Sequence, residues 1–230
     1  MASRSRSQEA DVLSLDTPES ENDRPKTPRR PGTSSGRSKQ LKVTEFRKFL
    51  ENDELPLRIE SAKSGGRRVV WTTSLDQLDF AQFLPLCVGG LQETLEPYPS
   101  FAFDAGMQIL EHGLNDKRVL KCLPLIMNQI KSALGTREKE IVHRVLLLLQ
   151  QLSVCEGVGE ALTDYYRAVL PLCNILQDKH LGTGDELTRE MVAETLETLE
   201  AYGKDDAHVV IQQYVPTFQQ QFPSDRLVST

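Results

Sequence analysis

Tryptophan occurs once in these 230 residues, aromatic residues make up only 6% of the chain, and the four cysteines form no Cys-x-x-Cys pair. The scarcity of aromatics fits a helical core built on Leu, Val and Ile, within an apolar content of 39%. Without paired cysteines the chain lacks the spacing of a zinc module or a disulfide framework, and it opens on no apolar signal segment. The expected setting is therefore reducing and intracellular. Long hydrophobic runs are missing too. The richest, Val145-Leu146-Leu147-Leu148-Leu149, is bounded by Arg144 and Gln150 and falls far short of the ~20 residues that span a bilayer, so no membrane partner is expected.

Catalytic spacing is equally scarce. His112, His143, His180 and His208 are scattered, and none belongs to a His-Glu-x-x-His pair. There is no Gly-x-Ser-x-Gly elbow, no Walker loop and no Gly-x-Gly-x-x-Gly between a strand and a helix. Ser64-Gly65-Gly66 suits a hairpin turn better than a phosphate cradle, because no helix follows it at once. Asp178, His180 and Asp185 share one loop, where solvation is a plainer role than metal binding. We expect no enzyme, no cofactor, no metal site and no catalytic residue.

What is present is a repeat. Phe83-Leu84-Pro85-Leu86, Cys122-Leu123-Pro124-Leu125, Val169-Leu170-Pro171-Leu172 and Tyr214-Val215-Pro216-Thr217 share one pattern, with prolines 39, 47 and 45 residues apart. Gly113, Gly157 and Gly203 keep the same beat at intervals of 44 and 46. Stacked helix pairs of the HEAT or armadillo kind have periods of about 40–47 residues. The expectation is an all-α, HEAT/armadillo-like helical-repeat solenoid with a small N-terminal β-hairpin. Its helices are expected to pair as 101–112 with 116–134, 138–155 with 159–178, and 186–202 with 205–221. Pro97-Tyr98-Pro99 should end the first helical segment, and the three glycines should supply left-handed caps. Leu123, Leu125, Leu146, Leu149, Leu170 and Leu172 are expected in the core, with Cys87 and Cys173 at equivalent buried positions two residues after a proline. In the helix ending at Tyr202, Leu187, Met191, Leu196 and Leu199 should form the apolar stripe, leaving Glu190, Glu194, Glu197 and Glu200 as a solvated face.

The N-terminal segment is different in kind. Residues 1–43 hold few large apolar side chains and are expected to be a disordered tail, with Thr17-Pro18 and Thr27-Pro28 as candidate proline-directed phosphorylation sites. Within it, residues 24–42 carry Arg24, Lys26, Arg29, Arg30, Arg37, Lys39 and Lys42 and no acid, a charge of +7. Residues 1–23 carry −4, so the overall −6 leaves −9 for residues 43–230. A basic arm on an acidic body implies an anionic partner. Nucleic acid is disfavoured, because the arm has no interleaved aromatics for stacking and the body would repel phosphates.

Order should begin near Thr44, a helix cap before Phe46, Phe49 and Leu50. Leu57 and Ile59, the turn at 64–66 and the stretch Arg68 to Thr72 predict a hairpin over about 56–72. An isolated hairpin is marginal in water, so this one must pack on the helices or on a partner, with Trp71 as its docking residue. The helical domain should run over 44–222, followed by a short C-terminal tail at 223–230.

Several of these segments resemble the parkin co-regulated protein family. They are Thr44-Glu45-Phe46-Arg47-Lys48-Phe49, the hairpin ending at Trp71, Leu78-Asp79-Phe80 with Phe83-Leu84-Pro85-Leu86, and Met107 to Gly113. Val158-Gly159-Glu160-Ala161-Leu162 with Tyr165-Tyr166-Arg167, Glu194-Thr195-Leu196-Glu197 through Tyr202-Gly203, and Tyr214-Val215-Pro216-Thr217 continue the likeness, in order, over residues 44 to 222. The match is close enough to be read as orthology, while the tail before residue 43 does not share it. The resemblance implies a structural protein of the axoneme in cilia and flagella, at the inner junction of doublet microtubules. Its partners would be α/β-tubulin, a β-sandwich inner-junction companion protein and other microtubule inner proteins. On this view Arg29, Arg30, Arg37, Lys39 and Lys42 would meet tubulin and Trp71 would mark a partner-docking hairpin. A soluble adaptor for chaperone or transport cargo is the alternative that the family also implies.

Overall fold

Four of the described helices start where the sequence supplies a side-chain acceptor for a free first-turn N–H group. The computed structural model describes residues 43–61 and 66–219, so the predicted tails, both Thr-Pro sites and most of the hairpin turn lie outside the described residues. In chain order the elements are α1 (Glu45–Glu51), β1 (Leu57–Ser61), β2 (Arg67–Trp71), α2 (Phe80–Gly90), α3 (Tyr98–His112), α4 (Lys117–Gly135), α5 (Lys139–Val154), α6 (Val158–Leu162), α7 (Tyr166–Gln177), α8 (Glu186–Tyr202) and α9 (Ala207–Tyr214). Thr44, Asp79, Asp116 and Asp185 each accept a first-turn backbone N–H, from Arg47, Ala81, Arg118 and Thr188. Such caps are each worth about 1 kcal/mol. As expected, Pro97-Tyr98-Pro99 is crossed by no helix, α2 having ended at Gly90. It opens α3, because Pro99 stands in the first turn, where its missing N–H has no intrahelical acceptor to lose.

The helices fall into two layers. In one, α2 packs on α4, α4 on α7 and α7 on α9; in the other, α3 packs on α5 and α5 on α8. The layers meet through α2 on α3, α4 on α5 and α7 on α8. The expected pairing of 101–112 with 116–134 is thus offset by one helix, since α3 makes its principal contacts with α2 and α5. Likewise α5 meets the short α6, but α7 pairs with α8. The second helix predicted over 159–178 is interrupted at Thr163–Tyr165, a single 3-10 turn.

All three helix-interior prolines, Pro85, Pro124 and Pro171, lie in the first layer. The residue before each, Leu84, Leu123 and Leu170, is buried. The residue after each is less buried: Leu86 and Leu172 are half-buried and pack against the edge of the core, and Leu125 turns outward at 51% exposure. That corrects the expectation that Leu125 belongs to the core, while Leu172 lies at its edge. Two residues on a helix are about 200° apart around its axis, so both cannot face inward. Leu146 and Leu149 do lie in the core, with Ile141, Val142, Val145, Leu148 and Leu152 of the central α5. Leu187 is also displaced to the surface, at 49% exposure. The buried face of α8 is instead completed by Thr188 and Thr195.

Only one of the three marker glycines is left-handed. Gly157 has φ of 70° and precedes α6, whereas Gly113 and Gly203 have ordinary φ of −85° and −75°. Space explains the other two. A Cβ on Gly113 would come 3.0 Å from the Phe80 ring, and one on Gly203 would come 2.6 Å from Ala207 Cβ.

The hairpin pairs Leu57 with Trp71 and Ile59 with Val69 in antiparallel register. Leu57 and Val69 are buried beneath it, and Gln108 of α3 donates from Nε2 to the Val69 carbonyl at 3.1 Å. The hairpin is thereby stitched to the first helices.

Candidate partner-binding surfaces

Arg29, Arg30, Arg37, Lys39 and Lys42 lie outside the described residues. Trp71 is half-buried, with its ring edge-on to Phe83 of α2 at a centroid distance of 5.9 Å. Its Nε1 is buried without a hydrogen-bond partner. Trp71 therefore fastens the hairpin to the helical body, while the opposite face of the hairpin carries Arg58, Glu60 and Arg68, with both arginines paired to Glu60.

Three of the four histidines have separate side-chain partners. His112 Nε2 lies 2.9 Å from Asp76 Oδ1, and His143 Nε2 lies 2.8 Å from Thr188 Oγ1. His208 Nδ1 sits 3.0 Å from Glu200 Oε1, off the line of a hydrogen bond. Glu200 is thus drawn under α9 and away from the solvated face expected for it. In the 178–185 loop, the Asp178 carboxylate accepts backbone N–H bonds from His180 and Leu181 at 2.7 and 2.8 Å, which hold its pKa below the usual carboxylate range. Asp185 instead caps α8 and meets Lys139 at 3.0 Å, so these acids do not converge with His180. Among the described residues, no group of three or more His, Cys, Asp and Glu is placed to hold a metal ion. All four cysteines are buried and free, and burial pushes the Cys87 and Cys173 thiols up to about 12. No helix among the described residues is long and apolar enough to cross a membrane.

A groove of about 980 Å³ runs between α1 and the first layer. Phe46 and Phe49 form one wall, Pro85, Leu86 and Gly89 the other, and Gln129 and Ile141 the end. The α1 wall is held by the buried Glu93 carboxylate, which accepts from Thr44 N at 3.3 Å and from Thr44 Oγ1 at 3.4 Å. Glu51 ties the other end of α1 to α3 by accepting from Tyr98 Oη at 2.7 Å and Arg47 Nε at 2.8 Å, and these bonds lower its pKa. Gln129 Oε1 is buried at the groove without a partner. The groove thus has apolar walls, with the amides of Gln82, Gln92 and Gln129 and the carboxylates of Glu45 and Glu138 also along its lining.

Charge divides by layer. The first-layer helices α2, α4, α7 and α9 contain Lys117, Arg118, Lys121, Lys131 and Arg167 and no Asp or Glu. The second-layer helices α3, α5 and α8 contain Asp104, Glu111, Glu140, Glu186, Glu190, Glu194, Glu197 and Glu200 against Lys139, Arg144 and Arg189. Lys121, Pro124, Leu125, Asn128, Lys131 and Ser132 form one exposed stripe along α4. Summing charge over the body conceals this, although the absence of acid around Pro85, Pro124 and Pro171 was readable in the sequence.

These features define a predominantly α-helical protein, with one antiparallel hairpin strapped to its first helices. The chain belongs to the Parkin co-regulated protein family, whose sequence model matches residues 44–220. It is similar to the Parkin coregulated gene protein homolog of Mus musculus, at 36% identity over 199 residues, covering 82% of this chain and 81% of the mouse protein.

Proposed function

We propose that this chain is a non-catalytic structural component of the axonemal doublet microtubule. In this reading it sits at the inner junction and bridges the B-tubule to the A-tubule, binding α/β-tubulin, a β-sandwich companion protein and neighbouring microtubule inner proteins. It would reside in the cytoplasm on the cytoskeleton of cilia and flagella. Its helices act as a HEAT/armadillo-like stack, with α2/α3, α4/α5 and α7/α8 as successive units and α9 beginning another. Hydrogen bonds between residues one period apart support that reading: Arg137 to the Leu181 carbonyl spans 44 residues, and Gln150 to Thr195 spans 45.

The observation that carries the bridging role is the division of charge between the layers. A protein that joins two different surfaces needs two faces of different chemistry, and a basic layer backed by an acidic one supplies them. The arm containing Arg29, Arg30, Arg37, Lys39 and Lys42 adds a contact to acidic tubulin that weakens as salt rises, because the screening length is about 8 Å at physiological ionic strength. Fractionation of ciliated cells tests the role. A junction component stays with salt-washed axonemes; recovery in the soluble fraction alone would falsify it. The groove beside α1 favours a second reading, a soluble helical-repeat adaptor that takes an apolar segment of chaperone or transport cargo, and that reading predicts the soluble fraction.

A further inference from the structure

We infer that the outward face of α2, α4 and α7 is a docking surface for an acidic polypeptide segment carrying regularly spaced apolar side chains. The inference deepens the binding role proposed above and rests on it only for the partner's identity. Three observations combine. Leu86, Leu125 and Leu172 stand at the same position of three neighbouring helices, each just after its proline; Leu125 is exposed, while Leu86 and Leu172 are half-buried at the edge of the core and keep part of their surface open. Beside them Lys121, Lys131 and Arg167 are exposed, and none has an ion-pair or hydrogen-bond partner among the described residues. Acids near this face are confined to helix ends, where Asp116 pairs with Arg118 and Asp164 holds Lys204 at 2.6 Å.

The geometry also restricts the ligand. Each proline lacks the N–H that would bond the carbonyl four residues earlier, so the carbonyls of Ala81, Leu120 and Arg167 lose their usual helical partner on this face. Backbone N–H groups of an extended ligand can supply it. Helices packed side by side lie about 8–10 Å apart, and three residues of extended, polyproline-like chain cover about 9 Å. A segment with an apolar residue at every third position and carboxylates between therefore matches both the leucine row and the cations. Nucleic acid fits less well, because the row offers leucines and no aromatic platform for bases.

The test uses the full-length chain with Arg24, Lys26, Arg29, Arg30, Arg37, Lys39 and Lys42 changed to Gln, which removes the arm's charge without truncation. The probe is a synthetic (Glu-Glu-Leu)4 peptide at low salt, compared with (Glu-Glu-Ser)4 and with a single-stranded oligodeoxynucleotide of equal charge. The leucine peptide should bind best. Its affinity should fall about tenfold or more in the Lys121→Glu/Lys131→Glu/Arg167→Glu variant, the scale expected for a few exposed ion pairs. Leu125→Ser, at an exposed position that leaves folding intact, should weaken the leucine peptide and leave the serine peptide unchanged. Unaltered binding by the triple variant, equal binding of the two peptides, or preference for the oligonucleotide overturns the inference. Microtubule co-sedimentation separates it from the proposed function. If the triple variant loses the peptide yet still pellets with microtubules, the surface stands and serves another acidic protein. If the parent binds the peptide but does not pellet, the surface stands and the tubulin reading falls.

Discussion

Gln150 of α5 donates from Nε2 to Thr195 Oγ1 of α8 at 2.9 Å, across a separation of 45 residues. Thr195 in turn donates its hydroxyl to the Met191 carbonyl at 2.7 Å, so its oxygen is free to accept. Two turns earlier the arrangement recurs at the same separation, where His143 meets Thr188 at 2.8 Å. Polar groups thus lock the register of two parallel helices in the middle of a hydrophobic interface.

Removing the acceptor tests that lock. Thr195→Val keeps the shape but leaves the Gln150 amide without its partner, and should cost about 1–3 kcal/mol in urea unfolding. Gln150→Leu combined with Thr195→Val should recover part of the loss, and the double-mutant cycle measures the coupling. A purely additive pair would show that the bond contributes nothing to register.

Leucines of the neighbouring helices α4 and α5 should separate sharply. Leu149 is fully buried in α5, so Leu149→Ala should cost about 2–5 kcal/mol. Leu125 is 51% exposed, so Leu125→Ala should stay within about 0.5 kcal/mol of the parent. Similar losses at both positions, read from denaturation midpoints, would contradict the outward turn after Pro124.

Two glycines should respond in opposite directions to alanine. A Cβ on Gly159 would meet the backbone carbonyl oxygens of Tyr202 and of Ser153, the latter at 2.7 Å. Backbone cannot give way as a flexible side chain can, and Gly159→Ala should destabilise by about 1–3 kcal/mol. At the end of α4, a Cβ on Gly135 would have no neighbour within 4 Å. Gly135→Ala should therefore stabilise by about 0.5–1 kcal/mol, through reduced freedom of the unfolded chain.

Acid should loosen the caps. The pKa of Asp185 is lowered by its Lys139 hydrogen bond first and by the Thr188 bonds, and that of Asp116 by the Arg118 backbone N–H. A depressed folded pKa gives stability that is present above the ordinary carboxylate value and is lost as pH falls through the lower folded value. Stability should be level above about pH 5 and decline below about pH 4. The difference between the parent and Asp185→Asn should be largest near neutrality and close as pH drops below that range. A gap that holds constant with pH would remove Asp185 from the acid response.

Much of this fold was legible because proline and capping residues act locally. Thr44 caps α1 as its sequence suggested, and the hairpin, the interruptions and the buried Cys87 and Cys173 follow from local pattern. The spacing of the proline-containing segments was legible, but which helices pack together was not. A chain of consecutive helices does not state whether α3 turns back on α2 or forward onto α4, and side-chain fit decides that. Thr188 and Thr195 were missed as buried residues because their hydroxyls read as surface, although His143 and Gln150 one period earlier signal their partners. The groove was invisible for the same reason, since α1 closes it through Glu93, 49 residues from Thr44. The cations of α4 and α7 were submerged in a net charge taken over the whole body.

Cryo-electron microscopy of intact doublet microtubules, from cells with and without this chain, tests the structural role most directly. Helical density matching α2 to α9 is expected where the B-tubule meets the A-tubule, present in the parent and lost in the deletion, with the first-layer face turned to an acidic neighbour. Identical density at the junction in both samples would contradict that role.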